Sequence, residues 1–339
     1  MQSCMVCGGQ PRKNPGAPLL ELAIISSQLT NSKMKLYREL RKDNPIFYYF
    51  VETLMNKYRD YVYTINEEEL KQALEQRGFW IGDITRRRFC NLINYISTQS
   101  LNILATCYTG NILEAGRKLS AFLCTDSKIK RYLIEPLADS FETKVHINDC
   151  LFRMRDSSNT ITDCWHVPYN LRKLTVNYRY SLAGFPCLYL ADSLETADKE
   201  SGRLKKGNNR WVSKFSVNKE QVYIDFEIYQ ETAITSKNCV DLINYLLTFP
   251  IRLLCSIPKN KEDNFHEEYY FPQLMMYCLC VCDNMNVRRY DGIAYSSTVN
   301  KGGVNYVLPA RYKGKRPPKD GHSQGLLSAF TASVPIIYK

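Results

Sequence analysis

The stretch 177–200, NYRYSLAGFPCLYLADSLETADKE, is the most informative part of this sequence about its fold. Gly184 and Pro186 predict a tight turn, because glycine adopts positive φ readily and proline holds the preceding residue extended. The run CLYLA at 187–191 is apolar throughout, which is typical of a short strand buried on both faces. A basic extended segment, a turn, a strand and a helix therefore follow one another within this stretch.

The helix that follows the strand carries a carboxylate near its buried side. Asp192 or Ser193 can cap its first turn, and Glu195 completes a capping box if Asp192 is the cap. One face of the helix is predicted to be buried and comprises Leu194, Ala197, Ser201 and Leu204. Glu200 lies about 60° from Ala197 around the helix axis, so it borders that face.

Arg179, Tyr189 and Glu200 lie on three consecutive elements and can converge on one pocket. Taken singly, each has an ordinary interpretation: a surface arginine, a core tyrosine and a solvent-facing glutamate. The residue types alone do not choose between these interpretations and a binding site.

Two blocks of sequence occur in an order typical of one protein family. The first block comprises Arg179, Gly184, Pro186, YLA at 189–191 and TADKE at 196–200. The second block comprises FPQ at 271–273, YDGIAYSS at 290–297 and NYVLP at 305–309. Together they resemble the signature of the RES-domain family, named for its arginine, glutamate and serine. The resemblance extends over about 145–309.

This resemblance implies an α+β protein with an ADP-ribosyltransferase-like split β-sheet that binds NAD. Most members of the family are bacterial toxins that consume NAD, and some transfer its ADP-ribose to a protein. The chain is therefore predicted to be an enzyme that cleaves the nicotinamide–ribose bond, as a glycohydrolase or by phosphorolysis. Transfer of ADP-ribose to a protein acceptor is the alternative activity, and a separate antitoxin protein is a possible partner.

The family pattern carries over to individual residues of this sequence. Its catalytic positions match Glu200, Arg179 and Ser296, with Ser297 as the alternative serine. A carboxylate at Glu200 can stabilise the positive charge that develops on the ribose, and Ser296 would hydrogen-bond the substrate.

Binding of the NAD substrate is assigned to Arg153, Arg179, Tyr189 and Ser296. Arginine forks bind the two phosphates, with Arg155 as the alternative to Arg153. The ring of Tyr189 can stack on nicotinamide. Tyr178 or Tyr180, which flank Arg179, can also line the pocket.

The chain divides into four predicted parts. A loose leader at 1–18 precedes a helical N-terminal domain at 19–144, the RES domain at 145–310 and a basic C-terminal segment at 311–339. The helical domain either binds a partner or target or supports the fold. Helices are predicted from 44, from 66 to Gly78, and at 83–97, 110–124, 240–254 and 271–282. The helix from 44 is predicted to have Asn44 as its cap, Pro45 in its first turn and an apolar stripe of Phe47, Phe50, Val51, Leu54 and Tyr58. Strands are predicted at 150–155, 187–191, 211–217, 222–228 and 291–297.

Composition restricts the class of protein. The chain has 339 residues, of which 45% are hydrophobic and 23% charged, as in ordinary globular proteins. It contains no run long enough to span a membrane and no signal-peptide pattern, so a cytoplasmic location is expected. The 13 cysteines are irregularly spaced, and Cys4 and Cys7 lack a second pair, so no metal is expected.

The net charge of +11 leaves a hypothesis of another class open. Basic residues cluster at Arg86–Arg88 and along 311–319, so a non-catalytic protein could use them to bind nucleic acid or an acidic partner. The positive charge is spread over both halves of the chain, which makes nucleic acid the less favoured ligand. An anionic small molecule such as NAD accounts for a basic chain equally well.

Overall fold

The structure is a computed structural model with a mixed α/β fold. It describes residues 17–30, 35–68, 70–71, 86–126, 137, 141–156, 160–201, 210–237, 239–259, 266–281, 290–312, 316, 318–319 and 321–338. The Cys4 and Cys7 pair, most of the predicted leader and the predicted helix end at Gly78 lie outside these residues.

The N-terminal half is helical, as its apolar periodicity predicts. Its helices are α1 (Ala17–Gln28), α2 (Lys35–Asp43), α3 (Phe47–Val62), α4 (Arg86–Tyr108) and α5 (Ile112–Cys124). The predicted stripe of α3 is buried along its length. Its predicted cap is wrong: Ile46 is the N-cap, while the Asn44 amide closes the preceding helix by donating to the Leu40 carbonyl.

The rest of the chain alternates strands with helices. The strands are β1 (Glu142–Val145), β2 (Cys150–Arg155), β3 (Cys187–Ala191), β4 (Arg210–Val217), β5 (Gln221–Phe226), β6 (Gly292–Ser296), β7 (Val304–Pro309), β8 (Phe330–Ala332) and β9 (Ile336–Tyr338). The helices are α6 (Leu194–Ser201), α7 (Glu231–Thr235), α8 (Cys239–Ser256), α9 (Tyr270–Val281) and α10 (Gln324–Ala329). Short 3₁₀ helices cover Ile161–Cys164, Tyr169–Leu174 and Glu267–Tyr269.

The described strands form one sheet in the order β1-β5-β6-β7-β3-β2-β4-β8, with β9 also paired to β4. Only the β5–β6 pair is parallel among these strands. The pairing is weakest between β2 and β3, which share the single register pair Phe152 and Ala191. Continued antiparallel pairing would set Arg153 opposite Leu190, but the ladder stops there. The sheet therefore nearly divides into two parts between these strands.

Side chains alternate between two cores on opposite faces of the sheet. On β3, Cys187 belongs to the core that includes the helices, whereas Leu188 belongs to the core on the other face. The same alternation separates Val307 from Leu308 on β7. Both faces of the central strands are thus covered, which explains why the CLYLA run is apolar without alternation.

The helical core continues across the boundary predicted near residue 145. The Tyr58 hydroxyl on α3 donates to the Leu246 carbonyl on α8 at 2.5 Å, and its ring lies 4.7 Å from that of Phe249. The helices α1 and α4 also pack directly on α8. The N-terminal helices therefore bury apolar surface against the helices that cover the sheet.

Candidate active site

Glu200, in the last turn of α6, has a carboxylate fixed by two donors from distant parts of the chain. The Ser297 hydroxyl, just after β6, donates to Glu200 Oε1 at 2.7 Å. The Asn305 side-chain amide, on β7, donates to the same oxygen at 2.7 Å. Within the described structure, Glu200 Oε2 accepts no hydrogen bond. The carboxylate is half-buried and has one anchored oxygen and one oxygen available to a ligand.

The start of α6 is set by Ser193. Its hydroxyl oxygen accepts a hydrogen bond from the Thr196 amide at 3.2 Å, so Ser193 is the cap. Asp192 is not the cap: its Oδ1 atom is buried without a hydrogen-bond partner among the described residues, and its amide extends the β3–β7 pairing by donating to the Val304 carbonyl. The capping box through Glu195 is therefore absent at this helix.

The predicted face of α6 is confirmed in part. Ala197 and Ser201 are buried, whereas Leu194 is 39% exposed and Leu204 lies outside the described residues. The Ser201 hydroxyl lies 3.1 Å from the sulfur of Met154 on β2. The helix packs on both β2 and β3, so Glu200 is held beside the place where these strands stop pairing.

Of the two candidate serines, the structure brings Ser297 and not Ser296 to Glu200. The Ser296 hydroxyl accepts from the Ile228 amide at 2.9 Å and lies 3.3 Å from the Ile228 carbonyl. It therefore fixes the backbone that follows β5. Ser297, the alternative serine, is thus the one that contacts Glu200. Substrate binding by either serine stays a prediction.

Arg153 lies directly after the last residue pair between β2 and β3. Its Nη1 atom is buried and finds no hydrogen-bond partner in the described part of the chain. Burial lowers the pKa of this guanidinium to about 9, and the positive charge of Arg155 acts in the same direction, against opposing effects of Tyr178 and Tyr189. An arginine remains a cation at neutral pH, and among the described residues no carboxylate forms an ion pair with this half-buried side chain.

Arg155 lies on the same face of β2 as Arg153, because strand side chains alternate. The register pairs Arg153 with Ser213 and Arg155 with Trp211 on β4. Arg153 is the member of this pair with a buried, unpartnered donor atom. Its assignment to phosphate binding stays a prediction.

Arg179 is buried and contacts the end of α8. Its Nη1 atom donates to the carbonyls of Cys255 and Ile257 at 3.3 and 2.9 Å. The guanidinium lies over the ring of Tyr269, 5.3 Å from its centroid. Carbonyls at a helix C-terminus lack partners within the helix, so Arg179 stabilises this end. Phosphate binding by Arg179 stays a prediction.

Tyr189 and Tyr178 form an aromatic pair beside Arg153. Their ring centroids are 5.7 Å apart, and the Tyr189 hydroxyl lies 2.6 Å from the Ser181 hydroxyl. Tyr178 is 48% exposed, whereas Tyr180 is fully buried and packs on Tyr295. Of the two tyrosines that flank Arg179, Tyr178 is therefore the one at the surface next to Tyr189.

The turn before β3 takes the predicted form. Gly184 has a φ of +78°, and its amide donates to the Thr175 carbonyl at 3.0 Å. The segment between them folds back on itself, since Tyr178 and Ser181 exchange backbone hydrogen bonds. This fold places Tyr178 over β3.

Sequence reasoning missed Asn305, although it lies within the NYVLP block. The signal was an asparagine inside a strand of apolar residues, a position where asparagine is depleted. Its buried amide needs a partner, and Glu200 supplies it.

The described residues give no indication of a metal or membrane site. They contain no group of three or more His, Cys, Asp or Glu side chains that could hold a metal ion. Among the helices in the described ranges, none combines the length and apolar character needed to cross a bilayer.

Comparison with known proteins gives one informative similarity. The chain is 30% identical over 212 residues to a Bacillus subtilis (strain 168) protein named "Putative toxin YopC". The match covers 56% of this chain and 46% of that protein, so the chain spans about half the length of this curated relative. No protein-family profile matches the chain, and no solved structure matches it.

Proposed function

We propose that this chain is a toxin of the RES-domain type that cleaves the bond between nicotinamide and ribose in NAD. The observation that carries the proposal is the half-buried Glu200 carboxylate, anchored through one oxygen by Ser297 and Asn305. The name of the Bacillus subtilis relative supports the toxin role. The two ordered sequence blocks and the near division of the sheet between β2 and β3 support an ADP-ribosyltransferase-like fold.

Glu200 would act on the ribose. When the C1′–N bond breaks, its electron pair leaves with neutral nicotinamide, and positive charge develops on the sugar ring. A fixed carboxylate beside the ring stabilises this charge without reorganising during the reaction. Anchoring through Oε1 leaves Oε2 to face the ribose or accept a hydrogen bond from one of its hydroxyls.

Arg153 and the tyrosines would bind the rest of the substrate. The Arg153 side chain is half-buried, and its buried Nη1 atom finds no hydrogen-bond partner among the described residues, so a diphosphate that accepted from it would be bound favourably. The neighbouring rings of Tyr178 and Tyr189 offer aromatic surface for nicotinamide. Glu200, Arg153 and Tyr189 would therefore supply one group for each of the three parts of the substrate.

The test compares NAD consumption by the purified chain and by Glu200→Gln. Glutamine keeps an oxygen that can accept from Ser297 and Asn305, so the variant should fold but lose the charge that stabilises the sugar cation. Removal of a preorganised transition-state contact costs about 10²- to 10³-fold in kcat. A matched control is Glu114→Gln on the exposed surface of α5, which should retain activity.

The products identify the acceptor. Free ADP-ribose indicates water, ADP-ribose 1″-phosphate indicates inorganic phosphate, and a labelled protein indicates transfer. Absence of nicotinamide release at low salt and at about 0.5 M salt would contradict the proposal. In that case, steep loss of nucleic-acid binding over the same salt range would support the binding-protein alternative.

A further inference from the structure

The segment 297–303, between β6 and β7, closes on itself and packs against α6. The Ser297 amide donates to the Gly303 carbonyl at 2.8 Å, and the Gly303 amide donates to the Asn300 carbonyl at 3.1 Å. A side chain at Gly303 would overlap the Thr196 side chain on α6. Glycine at this position therefore permits the close approach of the segment, which we call the clasp loop.

Asn300 connects the clasp loop to α6 through both ends of its side-chain amide. Its Nδ2 donates to the Thr196 hydroxyl at 2.8 Å, and its Oδ1 accepts from Lys199 Nζ at 2.8 Å. Asn300 is 8% exposed, and its bond to Thr196 is buried, whereas its bond to Lys199 is only partly buried. They join the loop to the helix at Thr196 and at Lys199, four residues and one residue before Glu200.

The same loop sets the direction of the Ser297 hydroxyl. Its oxygen accepts from the amides of Val299 and Asn300 at 3.2 and 2.9 Å. A hydroxyl has one proton and two acceptor positions, and both acceptor positions are occupied. The proton must therefore be donated to Glu200 Oε1, 2.7 Å away. Ser297 is held as a donor to the carboxylate and has no proton left for a substrate.

We propose that Asn300 is a positioning residue for catalysis, which fixes Glu200 from two directions. Its side chain holds α6, and its backbone amide orients Ser297, which in turn anchors the carboxylate. This inference rests on the proposed role of Glu200 in NAD cleavage. The clasp loop would thereby align Glu200 Oε2 with the ribose.

The first test is the kinetics of Asn300→Ala. Misplacement of a reacting group by about 1 Å can cost about 10²-fold in rate, so we expect a 10- to 100-fold lower kcat with KM changed less than about twofold. A matched control is Asn218→Ala, whose amide also bonds a threonine hydroxyl, that of Thr331, at 3.0 Å. The kcat and KM of Asn218→Ala should equal those of the parent chain. Should Asn300→Ala fail to fold, the isosteric Asn300→Asp should show a smaller loss of kcat.

The second test does not depend on activity. The carboxyl ¹³C resonance of Glu200, assigned by its absence in Glu200→Gln, should shift in Asn300→Ala and stay in place in Asn218→Ala. An unchanged resonance together with unchanged kcat would overturn the inference while leaving the role of Glu200 intact. If the parent chain releases no nicotinamide, the proposed function fails, and the resonance alone decides whether Asn300 positions Glu200.

Discussion

Ser297 donates its hydroxyl proton to Glu200 at 2.7 Å, although 97 positions separate the two residues in sequence. The bond joins the end of β6 to the last turn of α6, and Asn305 adds a second donor from β7. The carboxylate is thus held by elements on both sides of the clasp loop. This relationship provides the basis for the first prediction.

Asn305→Ala should lower kcat more than it raises KM. The substitution removes one of the two bonds to Glu200 Oε1, and a hydrogen bond to a charged group contributes about 1.5 to 3 kcal/mol. A 10- to 100-fold loss of kcat is expected, measured by nicotinamide release at saturating NAD. The conservative variant Asn305→Gln keeps the amide but is one methylene longer, so intermediate activity is expected and would support a positioning role. Full activity of Asn305→Ala would contradict this role.

Lysine substitutions on β2 should show which arginine, Arg153 or Arg155, binds the phosphates of NAD. Arg153→Lys should raise the KM for NAD about ten- to a hundredfold, because lysine keeps the charge but loses the two-pronged geometry. If Arg155→Lys raises KM and Arg153→Lys does not, the phosphate site is shifted by two residues along β2, on the same face. Steady-state kinetics of both variants distinguishes these outcomes.

Arg179→Lys should reduce stability in addition to any effect on NAD binding. Its Nη1 atom donates to the carbonyls of Cys255 and Ile257, and lysine loses the planar fork that reaches both while stacking on Tyr269. We expect a lower free energy of unfolding by about 1 to 3 kcal/mol, measured by urea titration. Unchanged stability with a strongly raised KM would show that Arg179 acts mainly on the substrate.

Alanine substitution of the two tyrosines that flank Arg179 should affect different properties: NAD binding for Tyr178 and stability for Tyr180. Tyr178→Ala should raise the KM for NAD with little change in stability, since Tyr178 is exposed and pairs with Tyr189. Tyr180→Ala should destabilise the fold by about 3 to 5 kcal/mol, as for other large buried aromatic side chains. Thermal unfolding and kinetics of both variants check the contrast. Tyr178→Phe, which keeps the ring, should retain binding.

A fragment that begins at Lys144 should fail to fold. It lacks α3 and the other N-terminal helices, so the faces of α8 that bind Tyr58 would be exposed to water. We expect aggregation or the absence of a cooperative unfolding transition, measured by circular dichroism. A soluble, active fragment would instead show that the helical half serves a partner or target.

Acid should destabilise the fold partly through His166. Burial lowers the pKa of this histidine to about 4, with smaller contributions from His322 and Arg153 in the same direction, while its contact with the Val167 carbonyl opposes the shift. Because the unfolded chain binds the proton near pH 6.5, the folded state loses stability as pH falls from about 6.5 to 4. Between pH 7 and 5, His166 should account for about 2 kcal/mol of this loss. His166→Gln should lose less stability than the parent in urea titrations at the two pH values.

Short-range sequence patterns are sufficient to predict the local elements around Glu200. The positive φ of Gly184, the doubly buried strand CLYLA and the helix after it follow from steric preferences and from apolar runs that any chain must bury. The predicted stripe of α3 is buried for the same reason. These features depend on neighbours within about ten residues, so one sequence contains enough information to predict them.

Which polar atoms form hydrogen bonds with one another depends on how distant segments pack together. Adjacent serines look alike in sequence, yet Ser296 bonds to the backbone of Ile228 and Ser297 to Glu200. Arg179 contacts the end of α8, while Arg153 keeps a buried donor without a partner. A one-residue step along a strand reverses the side-chain direction, and the partners come from distant segments. Hydrogen-bond geometry on the scale of 3 Å is therefore fixed only when these segments pack together.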